Sequence, residues 1–362
     1  MWSNESIIAK YTRDSDRRLM MQKDIFPVNA AFGEYLRRYG RDVELPICYN
    51  DLINYSHADS LKDKKGKWTH WETAVYEAGQ LGFLKKNLIK TYVNLKKQEL
   101  SASEKEFDIE RIDFCEYGNS IPFRIKIIEK NGQYDFFYIK QADASRIYGL
   151  ELEYLLTHNP INFLLFNNTL VEEHIEGIPG DIFLQQTPKL TETGKTSLAK
   201  AFVQFNESCF VRLLGDMRSY NFVVNPFSSN GNTFYRIRAI DFDQQCYEGK
   251  KNLYFPQFYK ENVEYVALVL QNLTAVEIEQ NQQIEFTAMA ARIITYRRQL
   301  MELLNSMVND DISENYKINV LRNELNDHFH TTRFTNCKTM GAILKHQLKQ
   351  VLQKHVQIAK LK

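Results

Sequence analysis

The chain lacks the cysteine pairs from which metal sites and disulfide frameworks are built. Its five cysteines are scattered along 362 residues, and no Cys-x-x-Cys pair occurs. Zinc sites use cysteines at short, defined spacings, and disulfide scaffolds use them in even numbers. The sequence therefore predicts neither a zinc site nor a disulfide-stapled fold.

Long apolar runs are missing as well. No uninterrupted apolar stretch approaches the roughly 20 residues that cross a bilayer as a helix. The first residues, Met1 to Arg18, contain no apolar segment of the kind that a secretory signal peptide requires. We therefore expect a cytoplasmic protein without a membrane span.

A large excess of charge is also absent, because 46 Lys and Arg face 45 Asp and Glu, for a formal net charge of +1. Proteins that mainly bind nucleic acid usually carry a basic domain, so we expect no nucleic-acid partner. The local exception is residues 333–362, with seven basic residues and no acidic one. This pattern favours a solvated helix face, and a contact with an acidic partner or a phospholipid surface is the alternative.

The chain does have enough apolar material for more than one core. Hydrophobic residues make up 44% of it, with 23 Phe and 20 Tyr. At this length, we expect two or three structural units. Residues 1–110 have apolar side chains at helical spacing, as in Leu84, Leu88, Tyr92 and Leu95, and are predicted to form a mostly helical extension.

The pattern changes to strands between residues 112 and 175. Two β-rich runs, 123–128 and 134–140, flank Asn131-Gly132, which favours a tight hairpin turn. A helix is predicted at 145–156, followed by a second hairpin across Asn167-Asn168. These elements predict a small antiparallel lobe of five strands with one helix. Beyond residue 177 the chain is predicted to be mainly helical, interrupted by one hairpin with its turn at Asn230-Gly231.

Four features occur in an order that suits phosphoryl transfer. They are Lys140 at the end of a strand, Glu151 on the following helix, the loop Gly215–Asn221, and the run Ile240-Asp241-Phe242-Asp243. This chemistry needs a cation on the nucleotide phosphates, a carboxylate to orient the acceptor hydroxyl, and oxygen ligands for Mg²⁺. An Asp followed by an Asn five positions later, and then an Asp after a hairpin, is the order of a kinase catalytic loop and its metal motif.

Each feature alone has a simpler interpretation. Lys140 could be a solvated strand end, and Asp216 a turn residue. Glu151 has a rival in Glu153, since either could lie on a wet helix face. Asp241 is harder to dismiss, because a carboxylate inside an apolar run needs a partner or a metal.

The sequence resembles the protein-kinase-like superfamily, and within it the aminoglycoside, choline and methylthioribose kinases. The catalytic loop of that family reads roughly Gly-Asp-x-His-x-x-Asn, similar to Gly215–Asn221, and its metal motif reads Ile-Asp-Phe/Trp-Glu/Asp, similar to Ile240–Asp243. Gly118-Asn119-Ser120 looks like the nucleotide loop, and 137–142 looks like the strand that carries the phosphate lysine. His174–Gly177 looks like the hinge. The resemblance covers about residues 112–250.

The resemblance implies specific roles for these residues. Lys140 would contact the α- and β-phosphates of ATP and pair with Glu151, and backbone groups near Glu173, His174 and Ile175 would hold the adenine. Asp216 would orient the acceptor. The residues implied as ligands of Mg²⁺ are Asn221, Asp241 and Asp243. The sequence departs from the family at Arg218, where His is usual, and Arg218 is counted with Asp216 and Lys140 as catalytic.

We therefore predict an α+β, bilobal, protein-kinase-like fold with a helical extension at 1–110, a small antiparallel-sheet lobe at 111–177 and a helical lobe at 178–362. ATP is expected in the cleft between the lobes. The predicted function is ATP- and Mg²⁺-dependent phosphoryl transfer to a hydroxyl of a small molecule or a protein. The alternatives are a pseudokinase that binds nucleotide or acts as a scaffold, and a nucleotidyl transferase.

Overall fold

The computed structural model describes residues 23–63, 65–97, 106–115, 121–185, 189–229 and 231–359. The chain divides into two compact units. The sheet unit comprises the described residues of 23–144 together with 161–174. The helical unit comprises residues 145–160 and the described residues from 175 onward.

Both units mix helices with antiparallel strands. The strands are β1 (His57–Lys62), β2 (Trp68–Val75), β3 (Phe107–Phe114), β4 (Phe123–Glu129), β5 (Tyr134–Gln141), β6 (Phe163–Phe166), β7 (Thr169–Glu173), β8 (Ile178–Pro179), β9 (Phe222–Ser229) and β10 (Asn232–Ala239). The helices are α1 (Ala30–Arg38), α2 (Tyr49–Leu52), α3 (Ala78–Leu95), α4 (Ala144–Leu156), α5 (Gly180–Leu184), α6 (Glu192–Arg212), α7 (Val263–Asn272), α8 (Ala275–Thr295), α9 (Arg297–Val308), α10 (Asn315–Phe329) and α11 (Met340–Ala359). The predicted α+β class, with an antiparallel sheet and a helical C-terminal part, is confirmed.

The sheet unit is built on a seven-stranded antiparallel sheet in the order β1-β2-β3-β4-β5-β7-β6. The hairpin between β4 and β5 turns at Asn131-Gly132, where Gly132 has a φ of +87°, a conformation that glycine adopts without steric cost. The second hairpin, between β6 and β7, turns with Asn167 at a φ of +52°. Both predicted hairpins are confirmed.

The core of the sheet unit lies between one face of the sheet and α3. The predicted stripe of α3, Leu84, Leu88, Tyr92 and Leu95, is buried. It belongs to the same cluster as alternate residues of the central strands, among them Ile125, Ile127, Phe137 and Ile139. Side chains two apart in a strand share a face, so the opposite face of β5 carries Tyr138 and Lys140.

The described part of residues 1–110, predicted as a mostly helical extension, contains strands as well as the helices α1 to α3. Strands β1 and β2 join the edge of the same sheet, and β2 pairs with β3, so the small lobe has seven strands rather than five. The described residues between Lys62 and Trp68 connect β1 to β2. The strands gave no signal because β1 is almost entirely exposed and carries no apolar alternation.

The helical unit is organised around α6, whose side chains are largely buried. Thr191 caps its start by accepting a hydrogen bond from the backbone N–H of Gly194. Strands β8, β9 and β10 form a small three-stranded sheet in this unit. Within the described residues, no helix is both long and apolar enough to span a membrane.

Residues 340–359 of the basic segment 333–362 form α11, whose apolar stripe is buried in the helical unit, including Met340, Ile343, Leu344 and Leu352. Two of its basic side chains bond to neighbouring amides: Lys345 donates to Asn305 and Arg333 to Gln350. An acidic partner for this face stays a prediction.

One acid in α6 is buried and accepts its hydrogen bonds from neutral amides. Glu207 is 4% exposed, and its Oε1 accepts from Gln282 at 2.8 Å and Asn206 at 3.3 Å. Burial raises the pKa of Glu207 to about 7, against an ordinary value of 4.5, although the two amide donors lower it. The unfolded chain therefore loses this proton at lower pH than the folded chain does, so stability falls as pH rises from about 4.5 to about 7.

We expect Glu207→Gln to raise the free energy of unfolding by about 2 kcal/mol at pH 8 and to change it little at pH 4.5, because the amide keeps the acceptor oxygen and never ionises. Urea unfolding at both pH values checks this. Glu192→Gln, an exposed acid in the same helix, should change neither value. A variant that is less stable than the parent at pH 8 would contradict the expectation.

Candidate active site

The predicted catalytic loop begins where α6 ends. Leu213 takes a left-handed conformation, with a φ of +55°, and terminates the helix. The loop ends at Asn221, and β9 begins at the next residue, Phe222. The loop therefore connects a buried helix, α6, to a strand, β9, of the same unit.

This loop is joined to the predicted metal motif through backbone hydrogen bonds. The N–H of Ile240 donates to the carbonyl of Asn221 at 3.0 Å, and the N–H of Cys246 donates to that of Leu213 at 2.8 Å. Gly215 donates to the carbonyl of Gln244, and a Cβ at Gly215 would lie 3.2 Å from that oxygen. The structure thus brings the two motifs side by side.

Asp216 has a left-handed backbone, with a φ of +55°. Aspartate tolerates this region better than most residues, yet the conformation still requires support. Its N–H donates to the hydroxyl of Tyr259 at 2.9 Å, and Asn221 Nδ2 donates to its carbonyl oxygen at 2.8 Å. The same Nδ2 lies 3.3 Å from Asp216 Oδ2. Asn221 and Tyr259 together hold Asp216 in place.

Arg218, which stands where the resembled family has His, contacts Asp216 directly. Its Nε lies 2.8 Å from Asp216 Oδ1, and its Nη1 lies 3.1 Å from the hydroxyl of Tyr220 and 3.7 Å from Glu261. Both charged side chains of the Asp216–Arg218 pair are about one third exposed, at 32% and 33%. Asp216 can therefore be reached from solvent while a guanidinium lies against one of its oxygens.

The pKa of Asp216 is raised to about 7, mainly by burial; Arg218 lowers it, and the carboxylates of Asp241, Glu248 and Glu261 contribute to the rise. Burial lowers the pKa of Arg218, but Asp216, Tyr220 and Glu261 together outweigh that effect and the net shift is upward. A carboxyl that exchanges its proton near neutral pH is suited to act as a general base.

Asp241 and Asp243 share a cation that sequence reasoning missed. Arg146, in the first turn of α4, places Nη1 2.8 Å from Asp241 Oδ1 and 2.8 Å from Asp243 Oδ1. The Arg146 side chain is 2% exposed, Asp243 is 10% exposed and Asp241 is 35% exposed. No local pattern could have found this contact, because about 95 residues separate Arg146 from its partners.

Helix α4 also packs directly on the metal motif. Ser145 Oγ donates to the carbonyl oxygen of Gln245 at 2.7 Å, and a Cβ at Gly149 would lie 2.9 Å from Phe242 Cβ. Glycine at position 149 is thus needed for the close approach of the helix to Phe242. Together with Arg146, these contacts fix the position of the Asp241–Asp243 run.

The residues predicted to hold Mg²⁺ fit that ion by their chemistry. Asn221, Asp241 and Asp243 offer hard oxygen donors, and Mg²⁺ is usually bound by one or two carboxylates, with waters and substrate phosphates completing the shell. Within the described residues, no group of three or more His, Cys, Asp or Glu side chains could hold a metal ion alone.

In the sheet unit, Lys140 has an acidic partner that the sequence analysis did not identify. Lys140 Nζ donates to Glu172 Oε2 at 2.7 Å, and the two side chains are 9% and 4% exposed. Glu172 lies on β7, the strand paired with β5. Lys140 is thus a buried, paired lysine and not a solvated strand end.

Glu151 and Glu153 are both buried in α4. Glu151 accepts a hydrogen bond from Gln299, and Glu153 forms an ion pair with Arg212. Neither lies on a wet helix face, so that interpretation is wrong for both. The pairing of Glu151 with Lys140 joins residues of different units and stays a prediction.

The predicted hinge begins at Glu173, the last residue of β7, and continues with His174 and Ile175. Glu173 Oε2 lies 2.9 Å from Lys96 Nζ, and His174 Nδ1 lies 3.1 Å from the hydroxyl of Tyr138. Ile175 is the first residue of the helical unit after this strand. The predicted nucleotide loop, Gly118, Asn119 and Ser120, lies outside the described residues.

Removal of the Glu172 carboxylate tests how much its ion pair with Lys140 contributes to the free energy of unfolding. We expect Glu172→Gln to lower the free energy of unfolding by about 3 kcal/mol, because it removes the counter-charge of a buried lysine. Glu110→Gln is the matched control, since it breaks a more exposed pair with Lys126 on the same sheet and should cost less than about 1 kcal/mol. Equal losses in the two variants, measured by urea unfolding, would contradict a special role for Glu172.

Comparison with known proteins gives little beyond the structure itself. No family model matches the chain, and neither does any curated protein. Among solved structures, "FAT and kinase domain of CtTel1" matches with a TM-score of 0.38 and 9% identity over 90% of this chain and 28% of that one. "Complete CtTel1 dimer with C2 symmetry" matches with a TM-score of 0.39 and 9% identity over 90% of this chain and 15% of that one. The chain spans less than a third of either, and likeness at these TM-scores establishes neither a family nor a function.

Proposed function

We propose that the chain is a protein-kinase-like phosphotransferase that uses ATP and Mg²⁺. The observation that carries this proposal is the arrangement at Asp216. A reachable carboxyl with a pKa near 7 is held in a left-handed conformation by Asn221, in a loop hydrogen-bonded to the segment that carries Asp241. A structural turn requires neither the raised pKa nor the neighbouring carboxylates.

In the proposed reaction, the hydroxyl oxygen of the acceptor attacks the γ-phosphorus as the bond to the β,γ-bridging oxygen breaks, and ADP leaves. Asp216 accepts the hydroxyl proton. Arg218 lies against one oxygen of Asp216 and thereby orients the other. Lys140 contacts the phosphates, and Glu172 on the neighbouring strand β7 holds the lysine ammonium.

Asn221, Asp241 and Asp243 are the residues that would hold Mg²⁺. When bound, Mg²⁺ neutralises charge on the phosphates during transfer. The acceptor is a hydroxyl of a small molecule or of a protein.

A nucleotide-binding pseudokinase is the second candidate, because one specific observation favours it. Arg146 already neutralises part of the charge on Asp241 and Asp243. A protein that binds nucleotide without transferring phosphate could use this arginine in place of a metal.

The two candidates differ in the fate of the γ-phosphate. Purified protein is incubated with γ-labelled ATP and Mg²⁺, and label in free phosphate, in the protein and in added cell extract is measured. A phosphotransferase yields label in one of these products and loses it when EDTA removes the metal. A melting temperature raised by nucleotide, without any labelled product, would favour the pseudokinase instead.

A further inference from the structure

Arg146 is the most unusual feature of the candidate site. A single nitrogen, Nη1, bridges two carboxylates that belong to the proposed metal motif, with both N–O distances at 2.8 Å. Nη1 carries two hydrogens, so it can satisfy both contacts at once. The bridge joins the N-terminal turn of α4 to a loop that follows β10.

The bridge is well supported by its surroundings. The backbone N–H of Asp243 donates to the same Asp241 Oδ1 that Arg146 contacts, at 3.1 Å. Ser145, next to Arg146, bonds to the carbonyl of Gln245. With its side chain 2% exposed, Arg146 cannot move into solvent without disturbing these contacts.

A divalent cation at Asp241 would meet this fixed positive charge within a few ångströms. Repulsion between charges at such distances is large when solvent does not screen it. Phosphates of a nucleotide would offset the repulsion, because they bring negative charge together with the ion. The site should therefore bind metal poorly alone and well with nucleotide.

We propose that Arg146 is a built-in counter-ion that keeps the Asp241–Asp243 carboxylates neutralised and makes metal binding depend on nucleotide. This inference rests on the proposed function, because it takes Asp241 to be a metal ligand. It assigns Arg146 a positioning and regulating role, distinct from contact with the reacting atoms.

The test measures binding of Mn²⁺ alone and of Mn²⁺ with ADP, by loss of the free-ion electron paramagnetic resonance signal. In Arg146→Gln, Mn²⁺ alone should bind at least about tenfold more tightly than in the parent protein, since a fixed positive charge is gone. Arg146→Lys keeps the charge and should bind Mn²⁺ alone as weakly as the parent does. Arg297→Gln, an exposed arginine of the same unit, should leave binding unchanged.

A second pair of variants guards against unfolding. Asp243→Asn and the double variant Arg146→Gln/Asp243→Asn differ only at Arg146, and the double variant removes one charge of each sign. Mn²⁺ alone should again bind at least about tenfold more tightly to the double variant than to Asp243→Asn.

The outcomes separate this inference from the proposed function. If Mn²⁺ binds to the parent protein with ADP, but removal of Arg146 leaves binding of Mn²⁺ alone unchanged or weaker in both pairs, the counter-ion role is overturned while the metal site stands. If Mn²⁺ binds to none of the proteins, with or without ADP, the proposed metal site fails and this inference fails with it.

Discussion

Asp216→Asn is expected to lower the rate of phosphoryl transfer by about a hundredfold to ten-thousandfold, the contribution typical of a general base. Asparagine has the same shape and also tolerates a left-handed backbone, so the loop should keep its hydrogen bonds to Tyr259 and Asn221. The asparagine amide, however, cannot take the proton from the acceptor hydroxyl. Single-turnover transfer from labelled ATP measures the loss.

Nucleotide affinity is the measurement to compare with the transfer rate of Asp216→Asn. The affinity for ADP with Mn²⁺ should change little in Asp216→Asn, because the carboxyl is proposed to contact the acceptor. Asp311→Asn, an exposed acid of the same unit, should retain full activity. Full transfer activity in a folded Asp216→Asn variant would remove Asp216 from the mechanism.

Asp241→Asn is expected to have the complementary effect, in that binding of Mn²⁺ with ADP should weaken at least about a hundredfold. Mutation of a partner outside the ligand shell already costs about 10- to 100-fold in metal affinity, and mutation of a ligand should cost more. Arg146 would keep its contact with Asp243, so the loop should stay folded. Titration of Mn²⁺ in the presence of ADP checks this.

The two variants together discriminate between roles. If the two residues have separate roles, Asp216→Asn should lose phosphoryl transfer and keep metal binding. Asp241→Asn should lose metal binding. If Asp241→Asn binds Mn²⁺ with ADP as the parent does, the metal lies elsewhere and Asp241 is a structural partner of Arg146.

Much of the fold could be predicted because its strong signals are local. The turn at Asn131-Gly132 and the stripe of α3 from Leu84 to Leu95 depend only on residues close in sequence. Strands β1 and β2 could not be found in this way. Most of their side chains are exposed or half-exposed. Pairing within the sheet, of β1 with β2 and of β2 with β3, keeps these strands extended, and an apolar pattern does not.

The candidate site likewise contains residues that the sequence predicted and residues that it did not. Asp216, Asn221 and Asp241 were predicted from spacing along one stretch of chain, and the structure brings their segments together. Arg146 and Glu172 were missed because each meets its partner only through the fold. A buried arginine or glutamate looks like any other charged residue until its neighbours are known.

The central claim is that Lys140 and the side chains of Asn221 and Asp241 act on one metal-bound triphosphate. The most direct test is a crystal structure with a non-hydrolysable ATP analogue and Mn²⁺, with the metal located by anomalous scattering. We expect the anomalous peak about 2 Å from an oxygen of Asp241, with the phosphates within hydrogen-bonding distance of Lys140. A nucleotide bound away from Lys140, or Mn²⁺ bound away from Asp241, would contradict the claim.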